Sequence, residues 1–445
     1  MPCLASQYRR SLIASLVLPL LLTACGGGST ATTPPANSSP TPTSVNGAGT
    51  VLYSFVEFPD QFNLVQGGDG NFYGTFPGGG SGGGGAVFAV NATTHAETFP
   101  LSFSVGYSTG GVSPYALLLG KDGNFYGATS LGGSNDAGVI FSMNPTTFAE
   151  TELYDFGASS SDVDNPLILI QGSDGNLYGL ALALGKITTT ASGAVMAPVA
   201  LFKYDMTAKT ESVLNVFSTT LPITPQLGTG ALLPQFALMQ ASDGNLYGTM
   251  YTGGANNAGF LFGYNLTSNT ATDLRDFGAS STDAAEPTDG LVQAGNGALY
   301  GVSLQGGQYG DGTIYSYSLN ASTPAESVVH SFNAADTGGS RPTSLIVGSN
   351  GQLYGATYSN QSLNATTFNS LGNVFVFDPA TSAVSVVYDF GSYNGNAVNS
   401  NNGPGLVGPM HILQGKDGNL YGITAMGGVN GVGALFEVSL SGTTP

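Results

Sequence analysis

The 445-residue chain has no tryptophan, two cysteines, three histidines and only 8% Asp, Glu, Lys and Arg. Each scarcity excludes something. Cys3 and Cys25 are too few for a disulfide framework, so a folded domain must rest on core packing and strand pairing. Serine chemistry needs a base and an orienting acid, and the sequence offers no partner for His95, His330 or His411. Nine basic residues against 27 acidic ones, a formal charge of −18, argue against nucleic acid as a partner. The longest apolar run, Leu12 to Leu22, falls short of the about 20 residues that span a bilayer. What remains is 67 glycines with abundant Ser, Thr, Asn, Tyr and Phe, a composition for short strands and tight turns. Hydrophobic residues at 41%, in repeated short runs, indicate a packed core and not disorder.

The N-terminus reads as an export signal, with Arg9 and Arg10 ahead of the apolar run and small residues behind it. Leu22-Thr23-Ala24-Cys25 resembles the lipobox of bacterial lipoproteins, which implies a signal peptide at 1–24 and lipid on the Cys25 thiol. An ordinary secretory signal with an incidental cysteine is the plainer alternative. Cleavage before Cys25 leaves seven basic and 27 acidic residues. Gly26, where an Asp would retain such lipoproteins, implies sorting to the outer membrane, facing the periplasm or the surface. Residues 25–48 then form a Gly/Ser/Thr/Pro tether.

Beyond the tether, Gly-x-Leu/Phe-Tyr-Gly returns seven times, at Tyr73, Tyr126, Tyr178, Tyr247, Tyr300, Tyr354 and Tyr421. The spacings are 53, 52, 69, 53, 54 and 67, a period typical of propellers and solenoids. In the third copy, Leu167–Gln171 and Leu177–Leu180 flank an Asp-Gly-Asn hairpin turn. Ala200–Tyr204 and Ser212–Phe217 add two more strands, the content of one propeller blade. Fourth strands end in signatures such as Tyr154-Asp155-Phe156, Arg275-Asp276-Phe277 and Tyr388-Asp389-Phe390. The last copy lacks one, while Val51–Phe55 supplies an unattached example before the first. This pattern predicts an all-β, seven-bladed propeller over 49–441, closed by an N-terminal outer strand in the last blade. An open solenoid would need capping units at both ends, and none is visible.

The recurring Gln-Gly-Ser-Asp-Gly-Asn-Leu-Tyr-Gly of 171–179, followed by Gly-Gly as at Gly132-Gly133, resembles the GloVer tandem repeat of bacterial secreted or surface-anchored proteins. The resemblance covers about residues 51 to 440. Copies five and six depart, with Asn296-Gly297-Ala298 and Asn350-Gly351-Gln352. It implies a fold and an address but no reaction. A looser likeness, to propellers with an Asp-Gly-x-Leu-Trp motif such as streptogramin-lyase-like enzymes and sensor domains, extends to blade design only.

The repeated residues read as structural. One aspartate per turn on separate blades does not supply the six to eight oxygens of a calcium site, and no motif implies a metal or cofactor. Gln66, Gln171, Gln240, Gln293 and Gln414 are expected to satisfy backbone groups between blades. The glycine-rich stretch 77–85 lacks the Lys and Ser/Thr of a phosphate loop. Function is therefore expected where the repeat breaks, at 180–199, 218–233, 356–372 and 391–408, which strand counting places on one face with the blade crossovers. Crossover carboxylates Asp164, Glu286, Asp289 and Asp336, with Asp162 and Asp283, share that face, and His411 opens the seventh inner strand. The expected role is binding of a glycan, peptide or protein there, with membrane attachment through Cys25. The alternatives are an extracytoplasmic glycan lyase or hydrolase using those carboxylates, and a surface protein without ligand.

Overall fold

A computed structural model describes residues 48–57, 64–105, 110–159, 162–183, 188–189, 195–222, 236–319, 326–334, 339–358, 371–393, 398–399 and 407–440. The signal, Cys25 and nearly all of the tether lie outside them, as does Asp336. All regular elements among the described residues are β-strands, and no helix is long and apolar enough to cross a membrane.

Seven antiparallel sheets are arranged as blades. Blade 1 comprises Leu64–Gln66, Phe72–Phe76, Gly83–Val90 and Glu97–Ser104. Blades 2 to 6 repeat this order from Gly111, Asp164, Phe236, Ala284 and Ser340. Blade 7 takes its inner three strands from Val407–Gln414, Leu420–Met426 and Ala434–Ser439, and its outer strand from Ala48–Ser54. Val51 pairs with Phe436 and Tyr53 with Leu435, with a bulge between them. Inner strands of neighbouring blades lie against one another, including those of blades 7 and 1, so the ring is closed. The displaced strand predicted from Val51–Phe55 is therefore present, and an open solenoid is excluded.

The core lies between blades, not within them. Phe55 and Leu435 of blade 7 pack with Phe72, Phe76 and Phe88 of blade 1, an interface of the same kind as that between blades 3 and 4 around Leu201, Leu246 and Phe262. The conserved geometry explains the motif. In Asp-Gly-Asn-Leu-Tyr of blade 3, Asp174 Oδ1 accepts from the Asn176 backbone, and Oδ2 accepts from Asn176 Nδ2 and Tyr178 OH at 2.7 and 2.8 Å. Blades 1, 2, 4 and 7 repeat these bonds. In blades 5 and 6 the donor reverses, Asn296 and Asn350 donating to Tyr300 and Tyr354. The turn glycine, as at Gly175 with φ 84°, takes the left-handed conformation. The glycine after each tyrosine serves close approach: a Cβ on Gly127 or Gly355 would collide with the Phe141 or Phe375 ring of the third strand.

The glutamines clasp neighbouring blades. Gln171 Nε2 donates to Gly175 in its own turn while its Oε1 accepts from the Lys121 backbone of blade 2. Gln240, Gln293, Gln414 and Gln66 do the same across blades 3–4, 4–5, 6–7 and 7–1. Both the aspartates and the glutamines of the repeat are thus consumed by folding.

Two of the four insertions differ from free loops. Blade 3 lengthens its third and fourth strands to Val195–Asp205 and Thr210–Pro222, pairing Met196 with Pro222. Leu180, Ala181 and Ala356, at the near ends of two insertions, are fully buried core residues. Repeat spacing marks where residues are added, but not whether they extend the sheet.

Candidate functional site

One backbone device builds the face that carries the crossovers. Ser113, Asn165, Glu286, Arg341 and Gly408 each precede a proline and each hold positive φ, between 53° and 63°. A residue before proline is normally pushed to extended conformations, and a left-handed φ costs on the order of 1–3 kcal/mol. The return is an interblade latch. The N–H groups of Asn165, Glu286, Arg341 and Gly408 donate to Ala137, Ala258, Asp311 and Leu371 carbonyls of the preceding blade, at 2.7–2.9 Å. Each proline ring then sits over the glycine that follows that carbonyl: Pro166 on Gly138, Pro287 on Gly259, Pro342 on Gly312, Pro409 on Gly372. The crossovers and the second-to-third turns are therefore joined on one face, as the strand count predicts. The latch uses only backbone and proline, so the side chain at the strained position is free to vary, and it does: Ser, Asn, Glu, Arg and Gly.

Blades 4 to 7 collect the polar side chains on this rim. Glu286 Oε2 accepts from Tyr251 OH at 3.0 Å and from Gln305 Nε2 at 2.8 Å. Burial, then the Glu286 charge, pushes the Tyr251 phenol up to about 12. The Arg341 charge acts in the opposite direction on both Tyr251 and Tyr358. One step further in, His411 Nδ1 of blade 7 lies 3.7 Å from Asp289 Oδ2 of blade 5, reaching past blade 6. That is an ion-pair distance, too long for a hydrogen bond, and Asp289 Oδ1 and His411 Nδ1 have no hydrogen-bond partner. Burial pushes the Asp289 carboxyl up, partly offset by His411. Between them, Ser344 of blade 6 is 2% exposed with an unpartnered Oγ.

Three of the expected residues, Glu286, Asp289 and His411, thus come together in one sector. Asp164 does not join them: it is buried in blade 3, in a place that a side chain on Gly157 would invade. Asp162 and Asp283 are structural. Asp162 accepts from Ala158 N and Tyr154 OH, and Asp283 from Ala279 N and Arg275 Nη2. His95 sits in a turn with φ 57°, and His330, its pKa lowered to about 4 by burial, packs edge-on against Phe332. Among the described residues no group of three His, Cys, Asp or Glu is placed to hold a metal. Arg341, Tyr251 and Gln305 are additions that the sequence reading missed. The recurrence of a varied residue before proline, in five of the seven inner strands, is the signal that marks Glu286 and Arg341.

Several solved structures share the fold. The chain superposes on an oligogalacturonate lyase from Vibrio parahaemolyticus with a TM-score of 0.56 and 12% identity, covering 90% of this chain and 95% of that one. A fungal alcohol oxidase in complex with copper gives 0.53 and 15%, over 90% and 78%. The extracellular domain of a putative hybrid two-component system from B. thetaiotaomicron gives 0.51 and 12%, and the chain spans 87% of its own length but 39% of that domain's. No curated protein matches in sequence. The family model for the Gloeobacter/Verrucomicrobia repeat matches residues 41–232 and 187–402, and the chain belongs to that family.

Proposed function

We propose that the protein is a lipid-anchored, extracytoplasmic binding module that takes a glycan, peptide or protein ligand at the long-loop face, in the sector of blades 4 to 7. The observation that carries this reading is the rim of pre-proline residues. Every latch has the same backbone, yet the side chains differ in size and charge, which is how a rigid scaffold presents a specific surface. The opposite face is composed of turns of one design whose polar groups are already bonded to one another. The export signal and the lipobox at Cys25 support the anchored, outer-membrane address.

The test compares two sets of variants against ligands found by glycan and surface-protein screening. Glu286→Ala with His411→Ala alters the long-loop face, and Asn71→Ser with Asn176→Ser alters the turn face. Binding should fall only in the first. Loss confined to the second would show that the ligand uses the other face.

A second reading, a glycan lyase or hydrolase, draws on Asp289 and His411. A carboxyl raised by burial beside an imidazole at a channel mouth is a reasonable acid–base pair. Turnover of a bound glycan that disappears in His411→Ala would favour it; binding without turnover would not.

A further inference from the structure

We infer that the rim of blades 4 to 6 recognises an acidic sugar, with the Arg341 guanidinium as the carboxylate fork; this deepens the long-loop-face reading and rests on it. Cations are scarce in this protein, and the others described have structural or plainly solvated roles. Lys121 and Lys416 donate to backbone carbonyls of the next blade, Lys203 pairs with Asp205, Arg275 bridges Asp283 and Glu326, and Lys209 is exposed on a turn. Arg341, half-buried, is alone among the described cations in having a buried Nε with no hydrogen-bond partner and, among the described residues, no carboxylate in ion-pair range. Asp311, whose carbonyl receives the Arg341 N–H, accepts with its carboxylate from the Ala334 backbone at 2.8 Å. A partly desolvated guanidinium without a counter-charge is costly, and its planar fork suits a carboxylate.

The neighbours decide what carries that carboxylate. Glu286 Oε2 is saturated by two donors, so the acid is fixed and presents acceptor capacity to hydroxyl groups without neutralising Arg341. Tyr251, half-buried, bonds Glu286 and lies within reach of the Arg341 charge, so an aromatic ring stands in the same sector. Ser340, 1% exposed and next to Arg341 in the chain, has an unpartnered Oγ. One anionic group, several hydroxyls and an apolar ring face describe a hexuronic acid better than a peptide or a neutral sugar.

Calorimetric titration of the full chain in mild detergent tests this with a hexuronic acid tetrasaccharide, the same saccharide with its carboxyls reduced to alcohols, and a glutamate tetrapeptide. The acidic sugar should bind. Carboxyl reduction or Arg341→Gln should each weaken binding about ten- to a hundredfold, with little further loss when combined. Thermal melting checks that Arg341→Gln folds. Should it not, Glu286→Gln keeps the neighbouring side chain and removes its repulsion, so the acidic sugar should tighten relative to the reduced one. Equal affinity for the two sugars, equal binding of the peptide, or no saturation by the acidic sugar up to about 10 mM would overturn the inference. If a neutral glycan or a protein binds and is lost in the Glu286/His411 variants but not in Arg341→Gln, the long-loop face stands and only the acidic ligand fails.

Discussion

Tyr53 donates its hydroxyl to Glu97 Oε2 at 2.8 Å, across the seam where the ring closes. Tyr53 belongs to the outer strand of blade 7 and Glu97 opens the outer strand of blade 1. The same place between blades 4 and 5 is filled by Arg275 and Glu326 at 3.2 Å, and between blades 2 and 3 by Tyr154 facing Glu211. In each case the first residue stands two before the phenylalanine that ends its strand, and the glutamate six before the phenylalanine of the next blade. The seam is therefore an ordinary blade interface. Burial, then the bond to Glu97, pushes the Tyr53 phenol up to about 12.

Ring closure makes the N-terminal strand essential. Deleting 48–57 removes the outer strand of blade 7 and the fully buried Phe55, and should abolish cooperative melting or lower Tm steeply. Phe55→Ala alone should cost about 3–5 kcal/mol. Deleting 28–44 should leave Tm unchanged. Equal melting temperatures for the two deletions would contradict the displaced-strand architecture.

The interface of blades 2 and 3 should be sensitive to pH. Burial, then the charge and hydrogen bond of Asp162, raises Glu211 to about 8. A carboxyl whose pKa is higher in the folded state stabilises the fold below its unfolded value, about 4.3, and that contribution is lost as pH rises through about 8. Arg275 offsets part of this between blades 4 and 5 by bridging Asp283 and Glu326, although burial still raises Glu326. Glu211→Gln should flatten the alkaline fall in Tm and stabilise the protein above pH 8 by on the order of 1 kcal/mol, allowing for partial exposure. Melting curves from pH 5 to 9 decide it.

The Asp-Asn-Tyr turns should govern the acid limb. At Asp174 burial opposes ionisation, but the bonds from Asn176 and Tyr178 outweigh it and hold the carboxyl below its usual range; Asp122 and Asp243 behave alike. A depressed carboxyl stabilises the fold above its unfolded value, about 3.9, and that stability disappears as pH falls through the folded value. Asp174→Ala should cost about 1–3 kcal/mol at neutral pH. Asp174→Asn should cost less, since Asn296 and Asn350 already serve in blades 5 and 6, and should blunt acid unfolding.

Membrane attachment should depend on Cys25. With the proposed lipid anchor, Cys25→Ser would remove the acyl chains, each buried CH₂ of which contributes about 0.8 kcal/mol, and the protein should move from the membrane pellet to the soluble fraction. Retention under washes that strip peripheral proteins would refute the lipobox.

Blade number, strand count and closure were legible in the chain because they follow from local chemistry repeated seven times: a turn that bonds its own tyrosine, apolar runs, and an orphan Tyr53-Ser54-Phe55 without a blade. Glutamine's clasping role was legible for the same reason, since a residue present in most blades meets a need common to them. Tertiary structure alone decided which acids come together on the rim. Asp162, Asp164 and Glu286 all sit near the start of an inner strand in sequence, yet a crossover turn and burial consume the first two, while a left-handed residue before Pro287 turns the third onto the rim. The pairing of Asp289 with His411 and the isolation of Arg341 were equally invisible. Both depend on blades more than fifty residues apart converging on one axis, and neither periodicity nor spacing records which side chains meet when a ring closes.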